Sequence, residues 1–367
     1  MIIRFLRTMI AALLLLGACS LHAQSAIEQL IRETGIEAGP VPISDRPGWH
    51  TPKKILIIAD NDLVAEMQEA LPDVQLIAIN RPSDAMQHVA DADAIIGFCS
   101  DRIVAAAKKL LWIQIYGAGA DRCMPIARIA NDEILLTNMQ KMSSPVIAEH
   151  VTALILSLAR GLPNYVRSMS EGSWQRGPEF TQGMQSIAGK TLLVIGLGGI
   201  GTEVARRAAA LDMRVIGTRR SSREGPDFVD YVGLSHELID LAGDADFIVN
   251  ALPLTPETSG LIDSKFFAAT KRGAHFINVG RGRTVVTDAL VAALESGQIA
   301  GAGLDVTDPE PLPADHPLWQ MVNVIITPHV ASRGGNRVRH NILIKENLAR
   351  FVAGDALLNV VNPELGY

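Results

Sequence analysis

The sequence predicts an α/β protein with two parallel-sheet domains. Short apolar runs alternate with segments of helical periodicity over most of the chain, and strands that are apolar on both faces belong to parallel sheets covered by helices. The alternation runs twice, with one long apolar helix between the two series. The chain has 367 residues, enough for about two domains at roughly 100–200 residues each.

The N-terminal stretch stands outside that pattern. Residues 1–23 start with Arg4 and Arg7 and no acid, continue through the unbroken apolar run Met9 to Leu16, and reach small residues before Leu21-His22-Ala23. This order reads as a secretory signal cleaved before Gln24, with an apolar run too short to span a bilayer. Leu16-Gly17-Ala18-Cys19 also reads as a lipoprotein processing site, with Cys19 carrying the lipid. Export to the periplasm or envelope is expected, the alternative being a cytoplasmic protein with a misassigned start. No other stretch is long and apolar enough for a membrane span. Residues 24–52, with Pro40, Pro42, Pro47 and Pro52, read as an extension or linker.

The first series predicts strands over 54–59, 74–79, 94–97, 112–115 and 134–137, with a helix from the end of the first strand to about Ala70. A helix over about 146–160 follows, apolar nearly all round and so buried on several sides. The second series predicts strands over 191–195, 214–218, 247–250, 275–279, 303–306 and 324–326. Helices are expected over about 199–211, 236–242, 263–268 and 287–295. A last helix over about 336–352 follows the closed series and is expected to return to the first domain. The domains are therefore read as 53–150 completed by 333–367, and 151–332.

Composition excludes several classes. At 48% hydrophobic and 20% charged residues, the chain has material for sizeable cores and is not a disordered protein. A net charge of −6 gives no basic surface for nucleic acid. Cys19, Cys99 and Cys123 form no CxxC and no pairing framework, which excludes a disulfide scaffold or a zinc ribbon. No metal site is expected.

Gly196-Leu197-Gly198-Gly199-Ile200-Gly201 fits G-x-G-x-x-G between an apolar strand and a helix with Ala205, Ala208 and Ala209. The first glycine permits the tight turn, the second lets backbone approach a pyrophosphate, and the third lets helix pack on strand. The helix then presents free N–H groups to the phosphates. At the end of the next strand, where an acid would bind the ribose hydroxyls of NAD, stand Thr218-Arg219-Arg220-Ser221, with Arg223 beyond. Arginines pair instead with a 2′-phosphate, so NADP is the preferred cofactor and NAD a possible one.

Three ionisable residues follow the ends of predicted strands: Arg281 in Asn278-Val279-Gly280-Arg281-Gly282, Glu310 in Asp308-Pro309-Glu310-Pro311, and His329 in Thr327-Pro328-His329. Ligands bind outside the carboxyl ends of strands in such sheets. The three types match one reaction. A planar guanidinium grips the carboxylate of a 2-oxo acid and polarises its carbonyl. Hydride addition leaves an alkoxide that needs a proton, a task for histidine. A carboxylate beside that histidine orients the ring and favours the imidazolium.

These stretches make the chain resemble the D-isomer-specific 2-hydroxyacid dehydrogenase family. Further matching segments are Ile187-Ala188-Gly189-Lys190-Thr191, Leu252-Pro253-Leu254-Thr255-Pro256-Glu257-Thr258, Gly301-Ala302-Gly303-Leu304-Asp305-Val306 and Ile147-Ala148-Glu149-His150. The match runs from about Lys53 to the C-terminus. The resemblance implies a Rossmann domain inserted in a flavodoxin-like substrate domain built from both chain ends, and a homodimer through the cofactor domains. It implies that Arg281 orients substrate, Glu310 partners His329, and His329 is the general acid/base. It places Asp305 at the nicotinamide carboxamide, Pro253 beside the cofactor, and the backbone of Tyr116-Gly117-Ala118-Gly119 at the substrate carboxylate. Arg219 and Arg220 look most like the NADP-using glyoxylate/hydroxypyruvate reductases.

Tyr116, Met142, Trp319 and Arg333 are candidates to line the pocket for the substrate side chain. Arg333 stands where small residues are common in the family. The reading is an NAD(P)-dependent oxidoreductase of a small 2-oxo or 2-hydroxy acid. A nicotinamide-sensing binding protein, like the corepressors of this family, is the alternative from another class, since fold alone does not fix function. Formate oxidation is disfavoured because the family's formate dehydrogenases carry Gln where Glu310 stands.

Overall fold

A computed structural model describes residues 26–335 and 337–367; the signal reading and Cys19 lie outside the described residues. The described residues divide into two compact units, 26–142 with 337–367, and 143–335.

The first unit holds β1 (Lys54–Ile57), β2 (Gln75–Ala78), β3 (Ala94–Gly97), β4 (Trp112–Ile115) and β5 (Leu135–Thr137). They form one parallel sheet in the order β2-β1-β3-β4-β5, the flavodoxin-like order, with its switch point between β1 and β3. Successive strand residues feed opposite faces. Ile55, Ile57 and Trp112 join a core closed by Leu343, Leu348 and Phe351 of the returning helix Arg337–Ala353. Leu56, Ile95 and Ile113 join the core on the other face.

Residues 26–52, read from sequence as an extension or linker, are packed into this unit. Residues 26–34 are helical, and Ile27, Leu30, Ile36 and Ile43 are buried in the core that Phe351 closes. Each such side chain contributes roughly 1.5–3 kcal/mol. Ala38 also bridges Leu358. Four prolines in a short segment obscured these apolar anchors.

The second unit holds β6 (Thr191–Ile195), β7 (Arg214–Arg219), β8 (Tyr231–Leu234), β9 (Phe247–Asn250), β10 (Ala274–Asn278), β11 (Ile299–Leu304) and β12 (Val324–Ile326). The order β12-β11-β10-β9-β6-β7-β8 is parallel throughout and is the doubly wound dinucleotide-binding arrangement, reversing between β6 and β9. The helix Ser144–Ala159 belongs wholly to this unit, where the sequence reading divided it at residue 150. Ile147, Val151, Leu154 and Leu158 pack it against the Leu192 and Val194 face of β6.

Two elements differ from the sequence reading. β8, a partly exposed strand with Gly233 at its centre, was not anticipated. β11 begins at Ile299, earlier than expected, because its glycines mask the strand. A Cβ on Gly301 would stand 2.8 Å from Asn323 O, and one on Gly303 would press on Leu154. The cysteine reading is corrected as well. Cys99 and Cys123 form a disulfide with Cα atoms 5.8 Å apart. Adjacency of β3 and β4 brings together two residues that carry no spacing signature. Among the described residues no single helix is long and apolar enough to cross a membrane.

Candidate active site

The carboxyl ends of β10, β11 and β12 carry the three ionisable residues in one unit. Arg281 follows β10 in a loop whose glycines are required by close approach. A Cβ on Gly280 would meet Leu252 O at 2.6 Å, and one on Gly282 would meet Thr307 O at 1.9 Å. A buried amide network holds this loop from below. Asn250 Nδ2 donates to Asn278 Oδ1 (3.1 Å) and Thr284 Oγ1 (2.7 Å), while Asn278 Nδ2 and Thr284 Oγ1 both donate to Arg281 O (3.2 and 2.6 Å). Asn250 and Thr284 were not singled out in the sequence; a buried polar residue ending an apolar strand is the signal that could have found Asn250, while Thr284, in the turn Gly282–Thr284, carries none.

Nδ1 of His329 stands 2.7 Å from Oε1 of Glu310, and both side chains are partly open to solvent. His329 adopts a left-handed φ of 53°, an uncommon conformation for a residue with a Cβ. Its N–H bonds Asp305 O at 2.8 Å. Glu310 sits on a loop pinned by Thr287 Oγ1 to Asp308 O (2.7 Å) and Thr307 Oγ1 to Pro309 O (2.9 Å).

Asp305 is buried, and its carboxylate is occupied by its own unit. Oδ1 accepts from Thr327 Oγ1 (2.7 Å) and Val330 N (2.9 Å), and Oδ2 accepts from Ala331 N (3.0 Å). The carboxylate expected at the nicotinamide thus grips the backbone that carries His329. His150 Nε2 extends the network, 3.0 Å from Thr327 Oγ1; that connection is not visible in the sequence.

At the switch point, β6 leads into the glycine loop. Gly196 has φ 94°, and a Cβ on Gly201 would lie 2.0 Å from Gly196 O. Gly198 is different: a Cβ there would touch nothing within 4 Å. Its missing side chain leaves open a space that backbone approach to a phosphate would use. The helix Gly199–Ala210 begins there with no side-chain cap, which leaves the N–H groups of its first turn open to an anion. Pro253 lies on the neighbouring loop after β9, where its carbonyl accepts Thr258 Oγ1 at 2.7 Å.

The ribose-reading turn divides into roles. Thr218 is buried and committed to the glycine loop, accepting Gly196 N on Oγ1 (3.2 Å) and Leu197 N on its carbonyl (2.9 Å). Arg219 ends β7 with its Nε buried and without a hydrogen-bond partner. A buried orphan guanidinium donor at this strand end fits the 2′-phosphate of NADP. Arg220 and Ser221 are exposed beside it. Arg223 is taken up elsewhere, 2.8 Å from Tyr231 Oη and 2.7 Å from Glu237 Oε2. The Leu234 N–H, the Tyr231 hydroxyl and Arg223 hold the Glu237 carboxyl down at about 2.

In the first unit, Tyr116-Gly117-Ala118-Gly119 follows β4. The N–H groups of Gly117, Ala118 and Gly119 have no acceptor among the described residues. Successive free N–H groups in an irregular loop form an anion-receiving concavity. Their carbonyls are anchored, Gly117 O by Met139 N (3.0 Å) and Ala118 O by Asn138 Nδ2 (2.8 Å). The Tyr116 hydroxyl donates to Ile58 O at 2.5 Å, and burial together with nearby Asp60 pushes its pKa up to about 12. That hydroxyl braces the loop and is not a proton source. Of the pocket candidates, Met142 is buried in the core of this unit and is withdrawn. Trp319 and Arg333 are exposed in the second unit.

A doubly wound sheet with a phosphate-receiving glycine loop, and an Arg, a Glu and a His at its carboxyl edge, defines a nicotinamide-dependent oxidoreductase. Residues 152–331 match the model for the D-isomer specific 2-hydroxyacid dehydrogenase NAD binding domain. The glyoxylate reductase of Korarchaeum cryptofilum is 35% identical over 290 residues, covering 76% of this chain and 86% of that protein. A D-isomer specific 2-hydroxyacid dehydrogenase from Xanthobacter autotrophicus Py2, solved with NADPH and MES, is 31% identical at a TM-score of 0.73 and covers 86% of this chain and 100% of its own. The NADPH-dependent glyoxylate/hydroxypyruvate reductase of Sinorhizobium meliloti, solved with NADP and sulfate, gives 26% identity at the same TM-score and the same coverages. The chain belongs to the D-isomer specific 2-hydroxyacid dehydrogenase family, and it is an NAD(P)-dependent hydroxyacid oxidoreductase.

Proposed function

We propose that the protein reduces a small 2-oxo acid of the glyoxylate/hydroxypyruvate kind, with NADPH the preferred donor and NADH a possible one. The observation that carries this reading is the 2.7 Å His329–Glu310 pair on the sheet edge that also bears Arg281. Bound nicotinamide supplies a hydride to the carbonyl carbon. Arg281 grips the substrate carboxylate and draws charge onto the carbonyl oxygen. His329, held at Nδ1 by Glu310, delivers a proton from Nε2 to the oxygen as it becomes an alkoxide. Within the first unit, the free N–H groups of Gly117, Ala118 and Gly119 are suited by themselves to receive carboxylate oxygens. Pro253 and the Asp305 segment would border bound nicotinamide, the Asp305 carboxylate holding the His329 backbone. The Arg219 guanidinium and its exposed neighbours Arg220 and Ser221 receive the 2′-phosphate, and the relatives solved with NADPH or NADP support that choice. A nicotinamide-sensing role is not favoured. A panel of 2-oxo acids with NADPH and with NADH tests the reading; no turnover of any member by the purified enzyme would overturn it.

Two further features belong to this reading. The first is export: residues 1–23 read as a signal, and a disulfide such as Cys99–Cys123 persists in oxidising compartments. Intact mass of protein from the native host should show a start at Gln24 or a lipid-bearing Cys19. Retention of Met1 in a soluble cytosolic fraction would refute export. The second is self-association. Leu162, Val166 and Met169 lie on one stripe of the helix Leu162–Ser170 and are exposed, as is Trp174 at 84%. An apolar stripe of this kind fits a second copy of the chain. Sedimentation should show a dimer, and Val166→Asp with Met169→Asp should shift it to monomer.

A further inference from the structure

The Cys99–Cys123 disulfide closes on the loop that the proposed function assigns to the substrate carboxylate. Cys99 lies two residues beyond the end of β3. Cys123 lies just beyond Gly119, in a turn where Ala120 O accepts from Cys123 N (2.8 Å) and Met124 N (3.0 Å). The bond therefore joins the chain leaving β3 to the turn that follows the loop after β4, across 24 residues of chain.

The Tyr116–Gly119 loop needs such a tie. Gly117 and Gly119 leave its backbone with wide conformational freedom, and the carboxylate-receiving groups are backbone N–H donors that work only in one arrangement. Its leading end is fixed by β4, by the Tyr116 hydroxyl on Ile58 O, and by packing of the Tyr116 ring on Gly97. Its middle is fixed by Asn138 and Met139. No hydrogen bond fixes Gly119 among the described residues. The trailing end is held by the Ala120–Cys123 turn, whose two end residues are buried, and the disulfide ties that turn to the chain leaving β3.

We propose that the Cys99–Cys123 disulfide is a positioning element for substrate: it holds the Gly117–Gly119 N–H groups in their carboxylate-receiving arrangement, so that the oxidised enzyme binds 2-oxo acid more tightly than the reduced one. This rests on the loop's assigned role above. Preorganising a binding loop removes an ordering cost from the binding step. The effect belongs in KM for the oxo acid, with kcat and the KM for NADPH left in place.

The test uses the full enzyme with glyoxylate and NADPH. Dithiothreitol delivers two electrons and two protons to the S–S bond, leaving the Cys99 and Cys123 thiols while the reagent closes to its cyclic disulfide. After reagent removal and a thiol count, KM for glyoxylate should rise about three- to tenfold, the scale of ordering one loop segment. The values for kcat and for the NADPH KM should stay within about twofold on the same scale. Reoxidation should restore the original KM, and Cys99→Ser with Cys123→Ser should behave as the reduced enzyme. A disulfide that only stabilises the fold would lower the melting temperature and leave KM unmoved. An unchanged KM in thiol-verified reduced enzyme overturns the proposal, as do free Cys99 and Cys123 in protein from an oxidising compartment. Oxidised enzyme inactive on every oxo acid points instead to failure of the assigned reaction.

Discussion

The His329 imidazole is aimed from two sides: Glu310 Oε1 meets its Nδ1 at 2.7 Å, and Asp305 holds the backbone beneath it. The positive φ of His329 persists because the Asp305 carbonyl takes the His329 N–H and the Asp305 carboxylate takes the next two. A strained backbone held this way at a reacting group is a form of preorganisation. Burial makes the arrangement robust, since releasing Asp305 would strand its acceptors without partners.

Loss of the ring should remove proton transfer. His329→Ala is expected to lower kcat by about 10²–10⁴-fold, with NADPH binding, followed by nucleotide fluorescence, unchanged. Glu310→Ala should lower kcat less. Because Glu310 acts through the ring, the double variant should fall no further than His329→Ala alone. Additive losses in kcat would show that the two carboxyl-edge residues work independently.

Arg281 is set by its carbonyl, which takes bonds from Asn278 Nδ2 and Thr284 Oγ1. Arg281→Lys keeps the charge and loses the fork. One charge-assisted bond is worth roughly 1.5–3 kcal/mol, so KM for the oxo acid should rise about ten- to a hundredfold. Thr284→Val should move in the same direction by a smaller factor, with Arg281 intact. Steady-state kinetics on both variants decides it; wild-type constants in Arg281→Lys would remove the guanidinium from the substrate.

His275 governs part of the acid stability. Its ring is buried in β10, stacked on Phe247 at 5.0 Å, with Nδ1 lacking a hydrogen-bond partner. Burial pushes its pKa down from 6.5 to about 4. The folded state keeps the ring neutral while the unfolded chain protonates it below pH 6.5. The stability is therefore complete above pH 6.5 and is lost as pH falls toward 4. The full effect is about 3 kcal/mol by linkage. Urea unfolding at pH 7 and pH 4.5 should show a smaller loss in His275→Leu than in the parent, by about 2 kcal/mol. Equal losses would mean that the ring already titrates normally in the fold.

Much of this architecture is readable from residues whose chemistry is local. Ala94 to Ile96 in β3 and Leu192 to Ile195 in β6 are continuous apolar runs, and Gly196 to Gly201 declares its turn by spacing alone. Arg281, Glu310 and His329 are legible because strand ends are where such sheets place ligands. What stayed hidden depends on partners distant in sequence. Cys99 and Cys123 meet only because β3 and β4 pair, and Ile27 and Leu30 find a core completed by Phe351, more than three hundred positions on. Asn250, Thr284 and His150 act through side chains whose acceptors are fixed by register. Met142 looked like a pocket residue because a flexible apolar side chain suits either a pocket or a core.

Cofactor choice gives the sharpest comparison. Arg219 Nε is a buried donor without a partner at the end of β7, the ribose-reading position of the sheet. Leaving such a group unpaired is costly, and a phosphate oxygen satisfies it where a ribose hydroxyl gives a weaker bond. Arg220 is more exposed, so solvent discounts its share. Arg223 adds nothing directly, because Tyr231 and Glu237 already occupy its guanidinium. With one partly buried and one exposed arginine facing about two negative charges, NADPH should be favoured over NADH by about tenfold to a few hundredfold in kcat/KM. Arg219→Asp with Arg220→Ala removes both donors and supplies an acceptor for ribose hydroxyls. That variant should lose most of its NADPH efficiency while its NADH efficiency holds or rises. The Glu237 pair with Arg223 lies outside the exchange, so Arg223→Ala should leave the cofactor ratio near that of the parent. Measuring kcat/KM for both cofactors in the three proteins separates the contributions. A ratio that survives loss of Arg219 and Arg220, or that collapses with Arg223→Ala, would move phosphate recognition away from the end of β7.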